Sequence, residues 1–335
     1  MFIFKVNTKY LMKKEIKKIL ITGALGQIGT ELTLALRKKY GSENVIASDI
    51  RPNPPKNFDD SGPYAVVDVT KQETIRQTII KYDIDTIFHL AAILSAVGER
   101  DPHLCWNVNM NGTINILDLS VRYELSRVII PSSIAVWGKY APKENTPQET
   151  VLKPTSMYGI TKVAGELLCD YYVQKYNLDC RGLRYPGIIS SETLPGGGTT
   201  DYAVEIFYEA IKNKHYKCFL KEDTILPMMY MPDCIKATIQ LAEADFNNLI
   251  HHSDFNLASM SFSPKTLYEE IKKHIPEFTI EYNPDYRQAI ADSWPKSIDD
   301  SAARNEWGWQ PDYNLELMTQ DMIIKLKDKF NKGLI

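Results

Sequence analysis

The sequence predicts an α/β fold, a doubly wound parallel sheet with a smaller, interleaved C-terminal substrate domain. Three observations lead to this prediction. Short apolar runs rich in β-branched residues alternate with helical patterns through the first half of the chain, as in strands that helices bury on both faces. Right-handed crossovers between parallel strands then place helices on both sides of the sheet. After Cys180 this alternation gives way to shorter elements, prolines and a glycine-rich loop.

The elements of the first half follow one another in a regular order. The predicted strands are 17–23, 44–50, 64–69, 85–91 and 127–133, and the predicted helices are 27–39, 71–82, 103–123 and 156–176. In the first helix, Ile28, Leu32 and Leu36 share one side, as core-facing residues do. A strand over 181–189, the glycine-rich loop over 194–200 and a helix over 201–212 follow.

The change of pattern after Cys180 suggests a division into domains. We expect a disordered extension over 1–13 and a dinucleotide-binding domain over 14–184, with segments returning to it at about 215–250. The substrate lobe would comprise 185–214 and 251–325. A start of translation at Met12 is an alternative explanation for the ragged beginning.

Composition argues against several functions. The 335 residues carry a formal net charge of −3 with acids and bases interspersed, whereas sequence-independent binding of nucleic acid requires a basic surface. No apolar run approaches the roughly 18 residues of a membrane span, and the apolar opening is too short for a signal peptide. We expect a cytoplasmic protein without nucleic-acid or membrane partners, with a mitochondrial location as the alternative.

The cysteines and histidines lack the spacing of metal sites. The five cysteines form no C-x-x-C pair, and the six histidines form no H-E-x-x-H motif, which are common zinc-binding patterns. We therefore predict reduced, buried thiols and no metal.

A phosphate-binding loop is predicted between the first strand and the first helix. ILITGALGQIG contains Gly23, Gly26 and Gly29. Glycine permits a tight turn there and lets backbone N–H groups approach a diphosphate at the helix N-terminus. Three glycines alone are a weak signal, which their position between strand and helix strengthens.

Acidic residues at the ends of the next two strands extend this pattern. Asp49 ends the second strand, where a carboxylate binds the adenosine ribose in a Rossmann fold. A carboxylate also repels a 2′-phosphate, so NAD is favoured over NADP, although Arg51 lies close enough to complicate this choice. Asp68 and Val69, at the end of the third strand, are expected to flank the adenine.

The Tyr-x-x-x-Lys spacing occurs five times, so spacing alone identifies no site. The pairs are Tyr10/Lys14, Tyr158/Lys162, Tyr171/Lys175, Tyr208/Lys212 and Tyr268/Lys272. Only Tyr158 begins a helix after the fifth strand, and that strand ends in Ser132 and Ser133. A lysine ammonium at i+4 is expected to lower the pKa of this tyrosine by about 1–3 from its ordinary value of about 10.

Five motifs in order complete this pattern. TGALGQIG, HLAA (89–92), PSSIAVWG (131–138), YGITK (158–162) and LRYPG (183–187) span about 170 residues. Together they resemble the extended short-chain dehydrogenases/reductases. The resemblance implies that Tyr158 takes a proton from an alcohol while hydride passes to NAD, and that Lys162 holds the nicotinamide ribose. Ser133 would hydrogen-bond the reacting oxygen, with Ser132 as the alternative.

The resemblance also implies a wider set of cofactor contacts. Besides the residues already named, these are Gln27, Ile28, Leu90, Ala91, Ala92, Asn109, Pro131, Tyr185, Pro186 and Ile188.

Three further stretches resemble the L-threonine 3-dehydrogenases of the short-chain type. They are ISSETLPGGGTTDYAVE (189–205), LPMMYMPDCIKA (226–237) and DSWPKSIDDSAARNEWGW (292–309). This resemblance implies oxidation of L-threonine to 2-amino-3-oxobutyrate. The implied substrate contacts are Ser95, Ser133, Tyr158, Thr199, Thr200, Asp201 and Trp294, although Thr199, Thr200 and Asp201 also suit a helix cap.

Two other functions and one assembly follow from the same motifs. A nucleotide-sugar 4-epimerase or dehydratase shares this fold, but the second half offers no cluster of basic residues for a nucleotide diphosphate. A nucleotide-sensing protein without activity would not need Ser133, Tyr158 and Lys162 together. Apolar residues beyond one face of helices 103–123 and 156–176, with the family resemblance, predict a homodimer.

Overall fold

The structure, a computed structural model, describes residues 15–55, 58, 61–193 and 198–335. The predicted extension over 1–13 and positions 194–197 of the predicted glycine-rich loop lie outside these residues.

A parallel sheet organises the first half of the molecule. In the described part of the chain it contains six strands in the order β3-β2-β1-β4-β5-β7. The strands are β1 (Ile19–Thr22), β2 (Val45–Asp49), β3 (Tyr64–Val66), β4 (Thr86–His89), β5 (Arg127–Ile129) and β7 (Cys180–Arg181). Every residue of β1, β2, β4 and β5 is buried, as the β-branched runs predict.

Six helices connect these strands along the described chain. They are α1 (Gln27–Tyr40), α2 (Gln72–Tyr82), α3 (Ser95–Arg100), α4 (Pro102–Trp106), α5 (Gly112–Arg122) and α6 (Met157–Tyr176). The predicted helix 103–123 is α4 and α5 joined by a π-helical turn over Asn107–Asn111. Such a turn is a frequent feature of functional sites. α3 was not predicted.

Alternate residues of β1 pack in two separate hydrophobic clusters. Ile19 and Ile21 pack in a cluster that includes Leu32 and Leu36 of α1, whereas Leu20 packs in the cluster of the opposite face with residues of α2, α5 and α6. Helices therefore cover both faces of the sheet, and the predicted doubly wound α/β fold is confirmed.

The predicted strand 181–189 divides into three short strands that belong to three sheets. β7 ends the central sheet, β8 (Leu183–Tyr185) pairs with β6 (Ser132–Ser133), and β9 (Gly187–Ile189) pairs with β11 (Leu226–Tyr230). Gly182 and Pro186 stand at the two breaks. A Cβ at Gly182 would lie 2.4 Å from the carbonyl oxygen of Ser253, and Pro186 lacks the N–H that a continuous ladder needs.

The second half adds short strands and six helices among the described residues. The strands are β10 (His215–Cys218), β12 (Phe255–Asn256), β13 (Met260–Phe262) and β14 (Thr279–Tyr282). The helices are α7 (Tyr202–Lys212), α8 (Met231–Glu243), α9 (Pro264–Lys272), α10 (Arg287–Ala291), α11 (Ser301–Trp307) and α12 (Leu315–Asn331). No helix of the described residues is long and apolar enough to cross a membrane.

Candidate active site

A cleft of about 440 Å³ lies at the carboxyl ends of β1, β2, β3 and β4. Ligands of doubly wound sheets bind at this edge, where the strand order reverses between β1 and β4. We name it the dinucleotide cleft. It is lined by Gly23, Gly26, Asp49, Ile50, Arg51, Val67, Asp68, Val69, Leu90, Ala91, Ala92, Ile93, Leu104 and Val108.

The turn before α1 brings main chain to the cleft surface. Gly23 has φ +68°, and a Cβ there would lie 2.7 Å from the amide nitrogen of Ala91. The N–H of Gly26 donates to the carbonyl of Gly23 at 3.0 Å, and α1 then begins at Gln27 without a side-chain cap. Unbonded N–H groups in the first turn of a helix bind anions. The turn therefore fits the diphosphate of a dinucleotide.

Asp49 is buried at the end of β2 and holds a bidentate ion pair with Arg51. The Nε and Nη2 atoms of Arg51 donate to the two carboxylate oxygens at 2.9 and 3.0 Å. Although burial raises the pKa of Asp49, the hydrogen bonds from Arg51 hold it below its ordinary value. Asp49 is therefore an anion at neutral pH, and Arg51 lines the dinucleotide cleft beside it.

Ser132 and Ser133 point their hydroxyls to different partners. Ser132 donates to Oε1 of Glu166 at 2.5 Å inside the protein. Ser133 accepts a hydrogen bond from the N–H of Ala135 at 3.2 Å, and its hydroxyl hydrogen-bonds the phenol of Tyr158. The structure thus joins Ser133, rather than Ser132, to Tyr158.

Tyr158 and Lys162 lie one helical turn apart near the start of α6. The Lys162 ammonium donates to the carbonyl oxygen of Pro131 at 2.7 Å and lies 5.5 Å from the centre of the Tyr158 ring. Ser156 caps α6 by accepting from the N–H of Gly159 at 3.1 Å. Helix capping and the Pro131 carbonyl therefore fix the two side chains at the carboxyl edge of the sheet.

The expected lowering of the Tyr158 pKa by Lys162 is wrong for the protein in this form. Burial raises the pKa of Tyr158 to about 12, although the hydrogen bond with Ser133 acts in the opposite direction. Burial likewise lowers the pKa of Lys162 to about 8, against the attraction of Glu166. Because the ammonium is directed to Pro131, loss of solvent outweighs the charge of Lys162 at the phenol.

A buried ion pair between Arg184 and Glu166 stabilises the position of α6 beside Ser132 and Ser133. Arg184 of β8 donates to both carboxylate oxygens of Glu166, at 2.9 and 2.8 Å. Its Nη1 also reaches the side-chain oxygen of Asn256 in β12 at 3.1 Å. Since Glu166 also accepts from Ser132, one guanidinium ties α6 to the strand end that carries Ser133. Neither Glu166 nor Arg184 was predicted. Glu166 lies eight residues after Tyr158, and no known sequence motif has an acid at that spacing.

A second cleft, of about 370 Å³, is lined by Ser156, two residues before Tyr158, and by Ala135, two residues after Ser133. We name it the substrate cleft. Its lining residues are Ser95, Ala96, Glu99, Ala135, Trp137, Thr155, Ser156, Tyr286, Ala289, Ile290, Ser293 and Trp294. Tyr158 packs against the cluster that contains Trp137 and Trp294. Ser95 and Trp294, predicted as substrate contacts, therefore line the same cleft.

Other predicted substrate contacts lie elsewhere. Thr199 is 2% exposed, and Thr200 packs where a Cβ on Gly187 would stand. Asp201 accepts a hydrogen bond at 2.5 Å from the N–H of Gly198. None of the three lines the substrate cleft.

The remaining predicted cofactor residues do not line the dinucleotide cleft. Gln27, Ile28 and Gly29 form the first turn of α1. The amide of Asn109, in the π-helical turn, bonds both the N–H and the carbonyl of Ile93, at 2.8 and 3.1 Å.

The carbonyl oxygen of Pro131 accepts the hydrogen bond from Lys162 described above. The hydroxyl of Tyr185 bonds Thr238 within the core at 2.5 Å. Pro186 follows Tyr185, and Ile188 lies in β9.

Several lining residues were not predicted. In the dinucleotide cleft they are Ile50, Val67, Ile93, Leu104 and Val108; in the substrate cleft they include Glu99, Trp137, Thr155, Ser156, Tyr286 and Ser293. Ile50 and Val67 adjoin predicted acids at strand ends, so the strand pattern contained a signal for them. The substrate cleft joins segments far apart in the chain, for which the sequence has no periodic signal.

Comparison with known proteins agrees with this geometry. Residues 19–258 match the NAD dependent epimerase/dehydratase family. An uncharacterized epimerase/dehydratase of Staphylococcus haemolyticus is 48% identical over 93% of this chain and 98% of its own. L-threonine dehydrogenase from Clostridium difficile has a TM-score of 0.92 and 52% identity, covering 94% of this chain and 99% of its own.

A monomeric L-threonine 3-dehydrogenase from a metagenome has a TM-score of 0.89 and 49% identity, with 92% and 99% of the two chains covered. The resemblance to short-chain L-threonine 3-dehydrogenases is therefore confirmed at the level of sequence and fold. These neighbours support an NAD-dependent oxidoreductase. The chain belongs to the NAD dependent epimerase/dehydratase family.

Proposed function

We propose that the protein oxidises L-threonine with NAD to 2-amino-3-oxobutyrate. One observation carries the proposal: Ser133 and Lys162 both lie beside Tyr158, in a molecule that also has a cleft suited to a dinucleotide and a second cleft. The similarity to proteins described as L-threonine dehydrogenases supports this substrate.

The proposed roles follow from the contacts of each side chain. Tyr158 takes the proton of the threonine C3 hydroxyl, and Ser133, already bonded to the phenol, donates to the same oxygen. Lys162 holds the nicotinamide ribose and adds positive charge near the phenol. Bound NAD supplies the acceptor for the hydride from C3 and a second positive charge that favours the ionised tyrosine. Loss of the proton and the hydride leaves a ketone at C3.

The cofactor is held mainly by main chain in this proposal. The turn at Gly23 and Gly26 and the first turn of α1, with Gln27, Ile28 and Gly29, bind the diphosphate. Asp49 accepts hydrogen bonds from the adenosine ribose, and its charge disfavours a 2′-phosphate. The other proposed contacts are Arg51, Asp68, Val69, Leu90, Ala91, Ala92, Asn109, Pro131, Tyr185, Pro186 and Ile188.

The substrate is bound by Ser95 and Trp294 in addition to Ser133 and Tyr158. Ser95 and Trp294 both line the substrate cleft. Thr199, Thr200 and Asp201 do not line this cleft and stay predicted contacts of the substrate.

The assay for this function is formation of NADH from NAD and L-threonine by the purified protein, followed by absorbance. Threonine-dependent NADH formation supports the dehydrogenase. Retention of NAD through purification together with interconversion of nucleotide sugars would instead identify the epimerase alternative. Nucleotide binding without turnover would identify a sensor. The substrate cleft favours the first outcome, because its described lining contains no lysine or arginine for a nucleotide diphosphate.

We also propose a homodimer that forms through α5 and α6. Leu167 is 64% exposed and Tyr171 47% exposed, which leaves an apolar surface on the solvent side of α6. Light scattering at micromolar concentration tests this, and a monomer mass would contradict it.

The division into domains stays a prediction, and α8 supports the returning segment of the first domain. Ile235 and Leu241 of α8 pack in the same cluster as α1 on one face of the central sheet. Residues of α8 would therefore belong with 14–184, whereas Tyr216 and Cys218 pack in the cluster that contains Phe207 of α7. The predicted substrate lobe is 185–214 and 251–325.

A further inference from the structure

Glu99 introduces a negative charge into the substrate cleft. It lies on α3 four residues after Ser95, and side chains at this spacing share one face of a helix. Both residues line the cleft. In the described lining, Glu99 is the only side chain that is charged at neutral pH; hydroxyl, aromatic and small apolar side chains provide the rest.

The position of the carboxylate is fixed relative to Tyr158. Oε1 of Glu99 accepts a hydrogen bond from the N–H of Met157, the first residue of α6, at 2.7 Å. A Cβ on Gly98, the residue before Glu99, would lie 3.9 Å from Cβ of Tyr158. The carboxylate is thus held one residue away from the proposed base, and the described contacts engage only one of its two oxygens.

We propose that Glu99 binds the ammonium group of the substrate and so selects α-amino alcohols of the threonine type over neutral or acidic alcohols. This inference rests on the proposed function and deepens it. A carboxylate accepts charge-assisted hydrogen bonds from an ammonium. The hydroxyls of Ser95, Thr155 and Ser156 on the same cleft wall are donors for the substrate carboxylate.

The geometry favours Glu99 over Asp201 for this role. Asp201 does not line the substrate cleft, and one of its oxygens already accepts from the N–H of Gly198. Glu99 lies in the cleft that also contains Ser95 and Trp294.

The test is the variant Glu99→Gln with two compounds that differ in the ammonium. The glutamine amide oxygen can still accept from Met157, so the helix cap is kept while the charge is lost. L-threonine is compared with (R)-3-hydroxybutyrate, which lacks the amino group, measured as a substrate or as a competitive inhibitor. One charged hydrogen bond corresponds to a loss of about tenfold or more in kcat/KM.

We expect this loss for L-threonine in Glu99→Gln, mainly as a higher KM, with (R)-3-hydroxybutyrate bound equally well or better. Glu99→Asp keeps the charge and weakens the cap, so it should retain most of the discrimination. An unchanged KM for threonine in Glu99→Gln, or an equal loss for both compounds, would overturn the proposal and leave Glu99 as a helix cap.

Asp101→Asn provides a matched control. Asp101 lies two residues after Glu99 and caps α4 by accepting from the N–H of Leu104 at 2.9 Å, but it does not line the cleft. The variant removes the same charge and should leave both compounds unaffected; an equal effect would indicate long-range electrostatics and contradict a specific contact. If the wild-type protein forms no NADH with threonine, the proposed function itself fails, and the role of Glu99 fails with it.

Discussion

The dinucleotide cleft and the substrate cleft are built from different parts of the chain. The dinucleotide cleft consists of successive strand ends, and its surface near Gly23 is main chain and small side chains. The substrate cleft consists of side chains from 95–99, 135–137, 155–156 and 286–294. Substitutions that add atoms close to the main chain should therefore weaken cofactor binding. Substitutions of single side chains in the substrate cleft should instead change affinity and selectivity for the substrate.

Tyr158→Phe should lower kcat without changing either cleft, and it should give the largest effect of these variants. It removes only the hydroxyl that takes the proton, so kcat with threonine should fall about a thousandfold or more. NAD affinity, measured by calorimetry, should stay within about twofold of wild type. Tyr171→Phe is the control, since Tyr171 has the same spacing to Lys175 on α6 but is 47% exposed. Turnover within tenfold of wild type in Tyr158→Phe would contradict its role as the base.

Gly23→Ala should damage the dinucleotide cleft first. Alanine is disfavoured at φ +68°, and its Cβ would lie 2.7 Å from the main chain at Ala91, so the turn must shift. NAD affinity should fall more than about tenfold, since a change of 1.4 kcal/mol suffices. Gly165→Ala on α6, where a Cβ meets nothing within 4 Å, is the control and should leave NAD affinity unaltered. Equal NAD affinity in Gly23→Ala and wild type would show that the turn is not the diphosphate site.

Lys162→Met should stabilise the protein in the absence of cofactor. Burial lowers the pKa of Lys162 to about 8 from an ordinary value of 10.5, so retaining the ammonium at pH 7 costs stability. After loss of the hydrogen bond to Pro131, we expect a net gain of about 1–2 kcal/mol at pH 7 in urea unfolding.

The pH dependence of this gain has a definite sign. Between pH 8 and 10.5 the unfolded chain binds more protons at Lys162 than the folded chain does, so wild-type stability rises with pH. The advantage of Lys162→Met should shrink across that window. Lys175→Met, on the exposed side of α6, should show no such trend. A variant less stable than wild type at pH 7 would mean that Lys162 stabilises the fold.

Lys143→Met should weaken only the binding of substrate, and its effect should be the smallest of these variants. The Lys143 ammonium donates to the carbonyls of Asp292, Ser293 and Trp294 at 3.1, 2.7 and 3.1 Å, which holds the cleft wall formed by 286–294. We expect the KM for threonine to rise about three- to tenfold, as for loss of one charged hydrogen bond. NAD affinity should not change. Lys296→Met is the control, because Lys296 pairs with the exposed Glu144; an equal rise in KM would contradict the positioning by Lys143.

The dinucleotide cleft could be predicted in detail because local sequence determines it. Gly23, Asp49 and Asp68 each follow or end a β-branched strand, and the carboxyl ends of parallel strands meet at one edge. The pairing of Tyr158 with Ser133 needed only the fifth strand and the helix after it. Arg51 was recognised as a complication, but its ion pair with Asp49 depends on side-chain geometry.

The substrate cleft and the electrostatics of the base were less accessible. Glu99 and Trp137 reach the cleft only after α3 and the strand end at Ser133 pack around α6, which no periodicity encodes. The pKa of Tyr158 was predicted in the wrong direction because spacing gives the distance to Lys162 but not the burial of the phenol. The breaks at Gly182 and Pro186 in the predicted strand 181–189 were not predicted, because the three sheets that they separate depend on distant partners.

The most direct measurement follows deuterium from C3 of L-threonine during incubation with NAD and the purified protein. If Tyr158 takes the hydroxyl proton while the C3 hydrogen leaves as hydride, mass spectrometry should find the deuterium in NADH, in equal amount to the ketone formed. NADH without deuterium, or no NADH from threonine at all, would contradict the proposal that Ser133, Tyr158 and Lys162 catalyse the oxidation of L-threonine by NAD.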